Sequence, residues 1–274
     1  MAVEKNQVRK RDMTFVNRTR TRIWQETPTE ENPYLAEQCR CHGYDILELA
    51  GKRSFAEVLF LLFQGELPTP EQAEMLEFLC IAMINPGPRH PATRAAMNAA
   101  VSKTHPQHLL PIGLSVLGGA HLGSAEVLAS MRFLTANLKR LPAEVAEESL
   151  AAPRPDEGDF HAAPGFGSRF GGIDPMPRQL AAQLGTLPGA GRALAWGAGF
   201  AEELTPQGLG WLGPGVAAAV FCDLGFHYRV GAGLYQLISA PGVLAHGLEL
   251  ANKPITAMPF LDEEHYVIAA EAKK

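Results

Sequence analysis

From Ser54 onward the apolar residues recur at the three- and four-residue spacing of an α-helix in one segment after another, which restricts this chain to a fold of packed helices. Ser54 to Gln64 places Phe55, Val58, Leu59, Leu62 and Phe63 on one apolar face, with Ser54 as N-cap and Gly65 as the stop. Pro70 to Ile84 repeats the pattern after a Pro-Thr-Pro start, with Met75, Leu76, Leu79 and Met83 inward. Leu109 to Leu117 is a short apolar segment that reads as a buried helix. Glu126 to Leu138 is helix-like, with Val127, Leu128, Met131 and Leu134 apolar. Gln179 to Leu187, Gly191 to Leu204, Gly215 to Leu224 and Leu234 to Leu250 add further helices, several rich in the Ala and Gly that permit close packing. Strand signals are sparse. The expected class is all-α, with irregular Pro/Gly-rich joints at 85–91, 151–177 and 205–215.

At 274 residues, 46% hydrophobic and 19% charged, the chain can bury a large core in one big domain or two unequal ones. Its net charge of -5 speaks against a general nucleic-acid binder. Lys5, Arg9, Lys10, Arg11, Arg18, Arg20 and Arg22 make the N-terminus basic, but without interleaved aromatics they read as a solvated arm. No run reaches the roughly 18 to 20 apolar residues of a membrane span and the N-terminus has no signal-peptide core, so no membrane contact and a cytoplasmic location are expected. Four cysteines do not make a disulfide framework. Cys39-Arg40-Cys41-His42 lacks the spacing of a zinc site, and no metal is expected.

Two segments carry candidate chemistry. His121 lies in the small-residue run Gly118-Gly119-Ala120-His121-Leu122-Gly123-Ser124-Ala125-Glu126. Small residues let a substrate approach the backbone, and an imidazole there can exchange protons with it; a capping or purely structural histidine is the competing reading. Pro164-Gly165-Phe166-Gly167-Ser168-Arg169 is a glycine-rich turn whose NH groups and arginine suit an anion, or else a surface linker. It is no P-loop, since no Gly-Lys-Ser/Thr follows. Gly189-Ala190-Gly191 is no dinucleotide fingerprint, lacking a third glycine and a preceding strand.

The run His42-Gly43-Tyr44-Asp45-Ile46-Leu47-Glu48-Leu49-Ala50, then Ser54-Phe55-Ala56-Glu57-Val58-Leu59 and Gly65-Glu66-Leu67-Pro68-Thr69, resembles the opening of the citrate synthase family. Asn85-Pro86-Gly87-Pro88 sits where the short citryl-CoA lyases have Asp-His-Gly-Pro. Gly118 to Glu126 resembles the family's Gly-Pro-Leu-His-Gly-Gly-Ala-Asn-Glu. Gly165-Phe166-Gly167-Ser168 and Asp174-Pro175 resemble its Gly-Phe-Gly-His and Asp-Pro-Arg, and Gly242 to Glu249 its C-terminal helix. Coverage runs from about Thr21 to about Val267, and order, spacing and length match citryl-CoA lyase better than full-length citrate synthase.

The resemblance implies an all-helical homodimer, each subunit a large domain (1–121 and 226–274) with a small domain (122–225) inserted. It implies carbon–carbon bond formation or cleavage beside a coenzyme A thioester, with no tightly bound cofactor. In the family an aspartate removes the α proton of the acyl-CoA, one histidine hydrogen-bonds the thioester oxygen, a second polarises the keto group, and arginines hold the carboxylates of the 2-oxo acid. Charge developing on an enolate needs a donor placed there, and carboxylates suit the planar fork of arginine.

His121 matches the enol-stabilising histidine, and Gly165, Phe166 and Gly167 match the loop expected to meet the coenzyme. The other polar positions are substituted. The keto-binding histidine becomes Ser168, the histidine of Asp-His-Gly-Pro becomes Pro86, and the arginine of Asp-Pro-Arg becomes Met176. One carboxylate-binding arginine aligns with Ser239 and another with Lys253. The general-base aspartate aligns with Pro214 or Gly215. Each lost arginine–carboxylate pair removes about 1.5–3 kcal/mol, and a lost base or electrophile costs on the order of 100- to 10,000-fold in rate. Relocated groups would be Arg169, Arg178, Asp174 and Asp223, although Asp223 lies roughly 12 Å along a helix from Gly215. Two functions follow from the resemblance: an acyl-CoA lyase or acyltransferase with an atypical partner acid, or a catalytically silent paralogue that binds CoA or partners another subunit.

Overall fold

The computed structural model describes residues 21–151, 153, 159–259 and 264. The basic residues from Lys5 to Arg20, and the end of the family resemblance near Val267, lie outside them. The described residues form two compact units, Met1–Leu67 and Pro68–Lys274.

The first unit is a three-stranded antiparallel sheet, β1 (Trp24–Pro28), β2 (Ala36–Cys41) and β3 (Tyr44–Asp45), followed by helices α1 (Ile46–Lys52) and α2 (Phe55–Gln64). This sheet is absent from the sequence expectation. β2 turns into β3 through His42 and Gly43, both at positive φ (48° and 89°), the signature of a two-residue hairpin whose twist matches its strands. Asp45 caps α1 by accepting from the N–H groups of Leu47 and Glu48. Ser54 and Glu57 form a reciprocal capping box on α2, and Gly65 ends it in the left-handed conformation, as the sequence indicates. The buried side of α2 differs from the expected one. Ala56, Leu59, Phe60 and Leu61 are buried, whereas Phe55 is 76% exposed and Leu62 and Phe63 also reach the surface. The helix is apolar on nearly every side, so periodicity does not choose among its faces. Cys41, Leu49 and Leu61 form the core of this unit with Ile46, Val58 and Leu67 packed against them.

The second unit carries α3 (Pro70–Ala82), α4 (Pro91–Val101), α5 (Leu109–Leu117), α6 (Ser124–Asn137) and α7 (Pro142–Leu150). A second antiparallel sheet follows, β4 (Phe160–Ala163) and β5 (Phe166–Ser168), joined by β6 (Gly210–Trp211) after α8 (Pro175–Leu184) and α9 (Arg192–Leu204). Helices α10 (Gly213–Asp223) and α11 (Tyr228–Leu250) complete it. The fold is all-α with two small sheets, and the expected joints at 151–177 and 205–215 are where the second sheet forms.

Helix α11 packs along α4, α5 and α6, while α10 packs on α6 and α9. Small residues set these crossings: a side chain at Gly113 would collide with Val243, and one at Gly231 with Met131. Only Leu109, Gly113 and Leu117 of α5 are fully buried, and Val116 is 41% exposed, so this apolar helix covers one face rather than lying wholly inside. Phe133, Phe166, Trp196, Phe200 and Trp211 build an aromatic core joining α6 and α9 to the sheet; Phe166 sits 4.8 Å from Phe200 and 4.5 Å from Trp211, ring centre to ring centre. Among the described residues no helix is long and apolar enough to cross a membrane.

Candidate active site

The site is assembled where α5 ends and α6 begins. Gly123 opens α6, and a Cβ there would collide with the carbonyls of Leu117 and Gly119, so the turn closes only with glycine. Leu122 adopts φ 59°, a left-handed conformation that costs a non-glycine residue about 1–2 kcal/mol. Side chains hold both of its backbone groups. Its N–H donates to Glu126 Oε2 at 2.8 Å, and its carbonyl accepts from His90 Nε2 at 2.9 Å. His90 Nδ1 accepts from the Ala92 N–H to cap α4, so its proton must lie on Nε2. Burial and the Arg169 charge push the His90 pKa down against the opposing bond to Leu122, favouring this neutral ring.

Glu126 is the hub. Its side chain is 2% exposed; Oε2 receives Arg169 Nη2 at 2.5 Å, and Oε1 lies 3.2 Å from His161 Nε2, without hydrogen-bond alignment. Burial pushes its pKa up, but the adjacent His161 and Arg169 outweigh burial and hold it below the ordinary carboxylate range. Burial, reinforced by the Glu126 charge, pushes the Tyr235 phenol well up.

His121 stands at the lip, with its side chain 63% exposed. Its Nδ1 is 2.7 Å from Asp159 Oδ2. A carboxylate only accepts, so Nδ1 is the donor, and the tautomer that this bond selects leaves the lone pair on Nε2. The His161 ring lies edge-on at 4.8 Å, with its Nδ1 3.6 Å from Asp159 Oδ1. His121, Glu126 and His161 line a cavity of about 330 Å³ together with Ala120, Ala125, Ala129 and Ala162 to Pro164.

On the other side of Glu126, Arg169 is buried to 7% exposure, and its Nε and Nη1 have no partner among the described residues. It lines a cleft of about 320 Å³ with Arg89, Leu122, Ser168, Phe170 and Asp174. Arg89, Leu122 and Phe170 also line a cleft of about 650 Å³ that includes His90 and Arg94.

Of the residues named from sequence, His121, Arg169, Ser168 and Asp174 therefore line these neighbouring clefts. The Ser168 hydroxyl donates to the Gly172 carbonyl at 2.9 Å and accepts from the Gly172 N–H at 2.7 Å, closing its own loop. Asp174 caps α8 through the Met176 N–H. Asp223 accepts from the N–H groups of Gly191, Ala193 and Leu194 and caps α9; burial pushes its pKa up against those bonds. Arg178 lines a separate, largely apolar cleft of about 600 Å³ with Ala181, Leu194 and Trp211. Lys253 is exposed, and its carbonyl accepts from Lys103 Nζ at 2.6 Å. Gly165, Phe166 and Gly167 are buried in packing. Gly165 has φ 82° against Gly215 and Ser130, Phe166 sits in the aromatic core, and Gly167 lies against Phe160.

The sequence reading keeps Glu126 as part of the His121 motif that supports an enzyme, but it does not single out Asp159, His161, His90 or Arg89. One signal was available: Asp159 and His161 are two residues apart in an extended segment, which sends both side chains to one side.

Comparison with known proteins agrees on the fold. Citryl-CoA lyase from Hydrogenobacter thermophilus superposes over 93% of this chain and 96% of its own, with a TM-score of 0.74 and 26% identity. ATP citrate lyase from Methanothrix soehngenii, solved in complex with citrate and coenzyme A, superposes over 98% of this chain and 47% of its own, with a TM-score of 0.66 and 16% identity. Citrate/2-methylcitrate synthase of Bacillus subtilis (strain 168) is 34% identical over 85 residues, 31% of this chain and 22% of that enzyme's length. Residues 16–163 match the family model for the citrate synthase C-terminal domain, more than half of the chain, and the chain belongs to the citrate synthase family.

Proposed function

We propose that this chain is an enzyme acting on an acyl-CoA thioester, forming or cleaving the carbon–carbon bond beside it with a partner acid other than oxaloacetate. The observation that carries this reading is the His121–Asp159 pair at the mouth of a cavity lined by small residues. Asp159 fixes the His121 proton on Nδ1, so Nε2 is free to take the α proton of the acyl group. The imidazolium formed is stabilised by Asp159, and its new Nε2–H becomes a donor for the thioester oxygen as enolate charge develops. This pair supplies a base where the family's aspartate position holds Pro214 or Gly215. The similarity to citryl-CoA lyase supports the substrate class.

Arg169 supports a carboxylate on the partner acid, because a buried guanidinium with two unpartnered donors is completed by a planar anion. Arg89 adds a second cation to the same cleft. Asp223 and Ser168 are left as cap and turn residues in this reading. The homodimer and the division into 1–121 with 226–274 against 122–225 are proposed on the family resemblance.

The test is turnover of citryl-CoA, and of acetyl-CoA with a panel of 2-oxo acids, read as CoA release or consumption. His121→Ala should lower turnover on the order of 100- to 10,000-fold. Unchanged turnover would remove His121 from the chemistry, and absence of turnover with every thioester, together with CoA binding, would favour the silent paralogue.

A further inference from the structure

Three side chains of metal-ligating type meet at this cavity, the His121–Asp159 pair of the proposed base and His161, which has no role in that reading. The ligand atoms of His121, Asp159 and His161 all lie within 4.8 Å of one another. Asp159 faces both rings, with Oδ2 2.7 Å from His121 Nδ1 and Oδ1 3.6 Å from His161 Nδ1. Nitrogen and oxygen ligands about 2.0–2.1 Å from a zinc-like ion stand roughly 3.3 Å apart in a tetrahedral site. The cluster brackets that spacing, and side-chain shifts of about an ångström would complete it.

The shell behind these groups fits as well. His161 Nε2 faces the buried carboxylate of Glu126 at 3.2 Å, and Arg169 holds that carboxylate from its other oxygen. A ring whose Nε2–H turns to a buried carboxylate has its Nδ1 lone pair free, which is the carboxylate–histidine–metal arrangement. His161 Nε2 and Glu126 Oε1 are both buried without an aligned hydrogen bond, so a small rotation of the ring would pair them.

We infer that His121, Asp159 and His161 form a binding site for a divalent first-row transition ion of the Zn²⁺, Co²⁺ or Ni²⁺ type. Two imidazoles and one carboxylate suit these ions above Mg²⁺ or Ca²⁺, which prefer all-oxygen sites. Three protein ligands leave a coordination position for water or a ligand, and the cluster borders the cavity of about 330 Å³. Binding would shift the His121 proton from Nδ1 to Nε2 and place the ion between Nδ1 and Asp159, so the ion-loaded form lacks the free Nε2 base of the proposed reaction and the two states exclude one another.

The test uses the full-length chain without a polyhistidine tag, stripped with a chelator and titrated with Co²⁺. The expected result is a visible ligand-field band saturating at one Co²⁺ per chain, displaced by Zn²⁺ and unaffected by excess Mg²⁺. Asp159→Asn and His161→Gln should each weaken binding at least tenfold, and Glu126→Gln about 10- to 100-fold through the His161 ring. Folding of each variant is checked by circular dichroism, and either ligand variant alone decides if the other does not fold. No saturable band, or a band unchanged in a folded ligand variant, overturns the site. The readout is ion binding rather than turnover, so failure here and failure of the thioester reading are separate results.

Discussion

The turn at 118–126 and the loop at 164–172 both carry family motifs, yet they use their polar side chains in opposite ways. In the first, His121 is exposed, its proton is placed by Asp159, and the strained Leu122 is held by Glu126 and His90. In the second, the Ser168 hydroxyl is consumed by Gly172 while Gly165, Phe166 and Gly167 are consumed by packing. A glycine-rich motif can therefore persist for steric reasons alone. Arg169 is the exception in its loop, a buried cation with donors to spare.

The strongest way to break this contrast is Asp159→Asn. Without a carboxylate to place the Nδ1 proton, turnover should fall about 100-fold or more in a steady-state assay; retention of full activity would move His121 to the structural side. In the other region, Gly165→Ala adds a methyl group against Gly215 and Ser130 at positive φ, and should lower stability by about 1–3 kcal/mol in a denaturant titration. Leu122→Gly should raise stability by about 1 kcal/mol, since glycine accepts the left-handed conformation; a loss would show that the Leu122 side chain outweighs its strain. Ser168→Ala should cost about 1 kcal/mol through the lost loop bonds, whereas a hundredfold loss of turnover at unchanged melting temperature would return Ser168 to the chemistry.

The smallest effect expected is a pH dependence from His90. Its folded pKa lies below the unfolded value of about 6.5, so the unfolded chain binds more protons between the two. Its stabilisation is therefore complete above pH 6.5 and lost as pH falls through the folded pKa. His90→Asn, which retains a capping side chain, should flatten that part of the stability profile.

Helix ends were legible where their signals are local. Ser54 and Gly65 mark the two ends of α2 through contacts three or four residues away. The strands of the second sheet were not legible, because segments of two to four residues (Phe-His-Ala-Ala, Phe-Gly-Ser and Gly-Trp) give no period to read. The expected helix over Leu234 to Leu250 does run through Pro241 without ending there, as the surrounding helices hold that long element in place. His121 could be singled out because its turn is contiguous. Asp159, 38 residues away, becomes its partner only through the fold.

The sharing of Glu126 has a consequence for how the clefts can respond to occupants. One carboxylate is divided between Arg169, which faces one cleft, the Leu122 N–H that shapes the turn, and His161, which faces the other. An anion that draws Arg169 toward itself withdraws a donor from Glu126, and an ion that reorients His161 draws the same carboxylate the opposite way. The two clefts thus compete for a single counter-charge, and loading one changes the energetic starting point for loading the other.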